Sequence, residues 1–196
     1  MLILPVNLQG AIVSLEPLER SHTVPLAQVG LDPELWRLQP RSIESPADMR
    51  DYVDQALEEQ ARGVSLPFAV VRREDRAVIG STRFMDIALP HRRVEIGATW
   101  FTGSAQRTGA NIETKLLLLT HAFDTLQLQK VVFKTETLNV QSRAAILALG
   151  ATEEGTFRKH LLADSGRARD MVYFSILDTE WPEVRSRLRV RLKRYE

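Results

Sequence analysis

The nine residues Gly103-Ser104-Ala105-Gln106-Arg107-Thr108-Gly109-Ala110-Asn111 connect two apolar segments of opposite character. Before them, VEIGATWF (94–101) is rich in β-branched and aromatic residues and reads as a strand. After them, Ile112, Leu116, Leu119, Phe123 and Leu126 recur at spacings of four and three, which is a helix period. A second β-rich run, 130–137, follows. A strand that reaches the next strand through a helix crosses over the sheet, so 94–101 and 130–137 are expected to be parallel neighbours. No other feature restricts the fold as much.

The remaining segments fit around that unit. A first strand is expected within 10–18, and one or two short helices within 20–37, interrupted near Asp32-Pro33. Ser45 suits an N-cap and Pro46 the first helical position, and the helix they open stops at Gly63. Segments 66–73 and 77–87 flank the polar turn Arg73-Glu74-Asp75-Arg76, so they form a hairpin that continues antiparallel into 94–101. A helix over 139–149 ends at Gly150, strands follow near 152–162 and 168–177, and a last helix spans about 179–194. With no repeat or linker, residues 1–196 read as a single α+β domain around a mixed, mostly antiparallel sheet.

Composition excludes several classes. The net charge of +1 gives no case for nucleic acid or a membrane surface. No run of about 18 apolar residues exists to span a bilayer, and MLILPVNLQG lacks the basic start of a signal peptide. The absence of Cys removes thiolate chemistry and Cys-based zinc sites, and fits a reducing cytoplasm. His22, His91, His121 and His160 have no metal-ligand spacing, so no metal is expected.

The loop itself points to an anion. The first N–H groups of a helix have no intrahelical acceptor, and the helix dipole places partial positive charge there. Gly109 is expected to let backbone approach the anion, and Arg107 to add a charge-assisted contact. Neither a P-loop nor a Gly-x-Gly-x-x-Gly fingerprint is present.

Gln106-Arg107-Thr108-Gly109-Ala110-Asn111 resembles the coenzyme A loop of the GCN5-related N-acetyltransferase (GNAT) family, Gln/Arg-x-x-Gly-x-Gly/Ala, with Asn111 at the last position. Leu138-Asn139-Val140-Gln141-Ser142 with Leu149-Gly150 resembles that family's Asn-x-x-Ser…Leu-Gly segment. Residues 166–177, ending in Glu180-Trp181-Pro182, resemble the closing segment of its RimJ/RimL-like branch. The resemblance covers roughly residues 10–184. It implies that strands 94–101 and 130–137 splay into a V. The pantetheine arm of acetyl-CoA pairs there with the backbone of Ala98–Phe101, which brings in Trp100 and Phe101. The pyrophosphate rests on Gln106, Arg107, Thr108, Gly109, Ala110 and Asn111, near Asn139 and Ser142.

The resemblance also implies acetyl transfer to a primary amine by direct attack in a ternary complex. Segment 20–62 would shape the acceptor site, and a homodimer is common in the family. The acceptor is a protein N-terminus or an amine-bearing small molecule. An α-amino group, with a pKa of about 7.7–8.0, needs less help to deprotonate than a lysine. Glu95 is the first candidate for the base, since a carboxylate among Val94, Ile96 and Trp100 has a raised pKa if buried. The bland reading is an exposed strand Glu paired with Arg83, Arg92 or Arg93. Glu136 is the other carboxylate, but alternation puts it with Lys134, opposite Thr135. Many family members place a Tyr in the helix after Asn139 to protonate the thiolate. Here that helix has none, and Ser142 is the substitute. Asn139 and Ser142 also suit helix capping. The alternative to an enzyme is an acyl-CoA-binding scaffold with the same fold.

Overall fold

The computed structural model describes residues 3–195. Met1, Leu2 and Glu196, at the ends of the apolar N-terminal stretch and the basic C-terminal run, lie outside the described residues. The strands are β1 (Leu8–Gln9), β2 (Val13–Pro17), β3 (Leu66–Arg72), β4 (Val78–Ala88), β5 (Arg93–Phe101), β6 (Lys130–Glu136), β7 (Thr152–Leu162) and β8 (Ala168–Leu177). The helices are α1 (Thr23–Gly30), α2 (Pro46–Ala61), α3 (Gly109–Thr120), α4 (Val140–Leu149) and α5 (Trp181–Leu192). The strands form one sheet in the order β1-β2-β3-β4-β5-β6-β8-β7. Each described pair is antiparallel except β5–β6, the crossover pair.

Local signals explain the element ends. The Ser45 hydroxyl accepts the Asp48 N–H at 3.2 Å and starts α2, with Pro46 in its first turn. Gly63 (φ 73°) and Gly150 (φ 100°) take left-handed conformations after α2 and α4, which side chains disfavour. Val184, Leu188 and Leu192 bury the stripe of α5 that their spacing predicts, and leave Arg189 and Lys193 exposed.

The sheet separates two cores. On one face, α3, α5 and part of α4 cover Val94, Ile96, Phe101, Val131 and Phe133. On the other face, α1 and α2 pack Leu26, Met49 and Val53 against Trp36, Ala69 and Trp100. Two-sided coverage makes β3 almost wholly buried, which is why Leu66–Arg72 reads as a continuous apolar run rather than an alternation.

Strand β1 has no counterpart among the expected elements. It is two residues long and pairs Leu8 with Leu15 and Gln9 with Ser14. Its hairpin is held from a distance. The Glu113 carboxylate, on α3, accepts the N–H groups of Ala11, Ile12 and Val13, each at 2.7 Å. Three donors on one buried carboxylate fix the turn to the helix.

Candidate active site

The β5–β6 ladder is short. Arg93 pairs with Lys130, Val94 with Val131 and Glu95 with Val132, and pairing then stops. Beyond that rung β5 runs on to Phe101 and β6 to Glu136, unpaired with each other. The cause lies partly in β5. Between the pairs Arg83–Gly97 and Ser81–Trp100, β4 advances two residues and β5 three. The extra residue is a bulge at Ala98–Thr99, with Ala98 left-handed at φ 46°. Bulges bend a strand and add twist, so the end of β5 turns away from β6. A left-handed alanine costs about 1–2 kcal/mol, the kind of strain that is kept where a site needs it.

Loop 102–108 lies at the open end of β5. Gln106 is exposed, and its side-chain amide donates to the Phe101 carbonyl at 3.1 Å. Arg107 is exposed and left-handed, φ 60°. Thr108 caps α3: its hydroxyl accepts the Ala110 N–H at 3.2 Å and donates to the Ala105 carbonyl at 2.7 Å. The cap leaves the N–H groups of Gly109 and Asn111 with no intrahelical acceptor. Gly109 has a packing reason beside the expected one. It is buried, and a Cβ there would lie 2.5 Å from Ile12 Cδ1 and 3.0 Å from Tyr195 Cβ. Packing against Ile12, just before β2, and against Tyr195 excludes a side chain there.

Asn139 caps α4, its Oδ1 accepting the Ser142 N–H at 3.0 Å. Capping is therefore the role that the geometry gives the Asn139 side chain, while Ser142 supplies only the backbone N–H. Ser142 is half-buried in the first turn. The sequence positions also divide by face. Trp100 turns its indole into the α1–α2 core, 5.4 Å from the Trp36 ring, while Phe101 packs into the opposite core. Only their backbone is shared by the opened strand.

Glu95 is on the α1–α2 face, opposite Met85, and 3% exposed. Its partner is Lys134 at 2.8 Å, not Arg83, Arg92 or Arg93. Burial pushes the Glu95 carboxyl above its ordinary range, and the Lys134 ammonium offsets this only in part. At Lys134, with 24% of its side chain exposed, the effect of burial is smaller, and the Glu95 carboxylate keeps the ammonium charged. Glu136 is buried but occupied. Arg167 donates to it, Arg169 donates at 2.8 Å, and these bonds, Arg167's foremost, hold its carboxyl below the usual range. Arg169 also donates to the Leu38 carbonyl, and Asp164 N–H to Pro40. These contacts latch loop 36–41 onto the β7–β8 hairpin.

Under that latch, beside the bulge, lies a cavity of about 280 Å³. Trp36, Tyr52, Met85, Ala98 and Trp100 form its walls, and Gln55, Glu59 and Arg83 its polar side. Arg83 is 6% exposed; Nη1 donates to Glu59 at 3.1 Å, while Nε is buried with no acceptor among the described residues. Burial alone would raise the Tyr52 phenol, but the adjacent Arg83 cation and hydrogen bonds to Ser81 and Trp100 hold it below its usual value. Seven of its twelve lining residues come from segment 20–62.

Sequence reasoning missed Arg83, Lys134 and Lys115. Lys115 is 6% exposed on α3 and donates to the Thr99 hydroxyl at 2.7 Å. A signal existed: Lys115 is three residues after Ile112 and four before Leu119, on the apolar stripe itself. Among the described residues, no cluster of metal-ligating side chains occurs, and no helix is long and apolar enough to cross a membrane.

A mixed sheet with one opened parallel pair, a capped helix start at its mouth and an aromatic-walled cavity beside the bulge define an acyl-CoA N-acyltransferase fold. The Acetyltransferase (GNAT) domain family matches residues 13–152, and the chain belongs to that family as an N-acetyltransferase. YdaF of Bacillus subtilis, named as a candidate ribosomal N-acetyltransferase, is 31% identical over 107 residues, 55% of this chain and 57% of that protein. A candidate acetyltransferase from T. thermophilus superposes with a TM-score of 0.89 at 32% identity, over 98% of this chain and 100% of that one. RimJ of Mycobacterium smegmatis, solved in complex with CoA-disulfide, shares the fold with a TM-score of 0.80 at 22% identity, over 95% and 92% of the two chains. A GNAT acetyltransferase implies acetyl-CoA as its acyl donor.

Proposed function

We propose that this protein transfers the acetyl group of acetyl-CoA to a primary amine held in the cavity beside Ala98, with a protein N-terminal α-amine the first candidate. The observation that carries the reading is the end of β5–β6 pairing at Glu95–Val132, with the start of α3 at the mouth of the opening. The residues present fit the coenzyme. Unpaired backbone of Ala98–Phe101 offers an edge to which the pantetheine arm can add like a strand. The N–H groups of Gly109 and Asn111 that the Thr108 cap leaves over, with the α3 dipole, favour a pyrophosphate, and Arg107 adds charge. Bound there, the coenzyme supplies an activated acetyl thioester.

The chain's own groups do the rest. Glu95, with a raised pKa, takes the proton from the amine, directly or through a water, and Lys134 keeps it ionised in part. The Arg83 guanidinium, on the polar side of the cavity, offers a cation to an oxygen of the acceptor next to the reacting amine, such as the first carbonyl of a peptide. The cavity holds about one residue, which suits a chain end or a small amine. Holding both substrates supplies up to about 7–11 kcal/mol of the barrier reduction. Ser142, at the α4 start, is the group offered to the thiolate. The name of YdaF supports a ribosomal protein as acceptor.

A panel of N-terminal peptides and small amines, incubated with acetyl-CoA and read by release of free thiol, tests this. Turnover on an α-amine is expected. Tight CoA binding with no turnover on any amine replaces the enzyme with a binding scaffold.

A further inference from the structure

Lys115 is the buried group that this chemistry leaves unused. Among the described residues it forms no ion pair, and its one hydrogen-bond acceptor is Thr99. An ammonium has three N–H groups and a neutral amine two, so at least one is unspent. The nearby acids are committed elsewhere. Glu113 is held by the Ala11, Ile12 and Val13 N–H groups, and Glu95 and Glu136 lie on the opposite face of the sheet. Burial without a counter-charge pulls the Lys115 pKa down to about 7.

Its position is specific. Thr99 lies on one arm of the opening and Phe133 on the other, both past the last rung, and Nζ is 2.7 Å from the first and 5.9 Å from the ring of the second. Thr99 is four residues beyond Glu95, on the far side of Ala98, and two short of Phe101. The amine therefore faces the middle of the opening. A thioester belongs nearer the vertex and a pyrophosphate at the mouth. What passes the middle of an extended pantetheine arm is an amide.

We propose that Lys115 is a binding residue for the pantetheine arm, donating a hydrogen bond to one of its amide carbonyl oxygens. This rests on the opening being the coenzyme site. The Thr99 hydroxyl orients the amine and is itself held by Thr82 at 2.8 Å. A neutral amine can donate there without burying a charge, which explains a lysine where no carboxylate waits.

The test compares CoA with adenosine 3′,5′-bisphosphate, which lacks the arm, by calorimetry on the wild-type chain and on Lys115→Met. The variant is expected to lose about tenfold or more in CoA affinity and nothing for the bisphosphate. Unchanged CoA affinity, or equal loss for both ligands, overturns the proposal. A wild-type chain that binds neither overturns the coenzyme reading as well. Should Lys115→Met not fold, reductive methylation of the wild type, read by peptide mass spectrometry, decides. CoA should shield Lys115 while the bisphosphate does not, and equal shielding overturns the proposal.

Discussion

Glu95 and Lys134 form a 2.8 Å ion pair across the gap where β5 and β6 begin to part. The pair ties the proposed base to the opposite arm of the opening, so Lys134 tempers the rise in pKa that burial gives Glu95.

Replacing Glu95 by Gln should lower kcat/KM by about a hundredfold or more, with CoA affinity retained. Removing the ammonium with Lys134→Met should raise the Glu95 pKa further and move the acidic limb of the rate profile to higher pH. Rates that are identical for wild type and Glu95→Gln from pH 6 to 9 would remove Glu95 as the base.

Lys115 should make stability depend on pH. Its folded pKa of about 7 is below the ordinary lysine value, so between about 7 and 10.5 the unfolded chain binds more protons. Stability contributed by this group should therefore rise with pH through that window, at up to about 1.4 kcal/mol per unit. Urea unfolding of wild type and Lys115→Met at several pH values reads it. The difference between the two should narrow or reverse as pH rises, and a constant difference rules it out.

Glu113→Gln should destabilise by about 2 kcal/mol, because an amide keeps one acceptor oxygen for three N–H groups and loses charge assistance. Gly10→Ala probes the same clamp from the other side, since its Cβ would lie 2.2 Å from Glu113 Cδ. Both changes should lower the denaturant midpoint with activity retained in the folded fraction.

Arg83→Met should raise the KM for the acceptor while CoA affinity stays the same, because Arg83 lines the cavity on the face away from α3. A matched loss of CoA affinity would place its effect on the fold of β4 and β5 instead.

Gly109→Val should reduce both stability and CoA binding. A branched side chain collides with Ile12 and Tyr195, so the start of α3 must shift. CoA affinity unaltered in a stably folded variant would separate the loop from the coenzyme.

Most of the chain's elements were legible from local signals. Ser45-Pro46, Gly63 and Gly150 mark helix ends because caps and left-handed turns depend on neighbours in sequence. The parallel β5–β6 pair followed from the crossover alone. Strand β1 was not legible, since two residues carry no period and are held by a carboxylate about a hundred residues away. The packing at Gly109 was not legible either, because Ile12 and Tyr195 reach it only in the folded chain.

The amino-acid order by itself determined the sequence of strands and helices, the crossover and the capped loop, because helix period, strand alternation and capping act within a few residues. Which charges are buried was decided by the tertiary structure alone. Glu95 met Lys134, Glu136 met Arg167 and Arg169, and among the described residues Arg83 Nε found no acceptor and Lys115 no carboxylate. Burial and charge pairing depend on which surfaces the packed sheet brings together, and spacing along the chain carries no record of that.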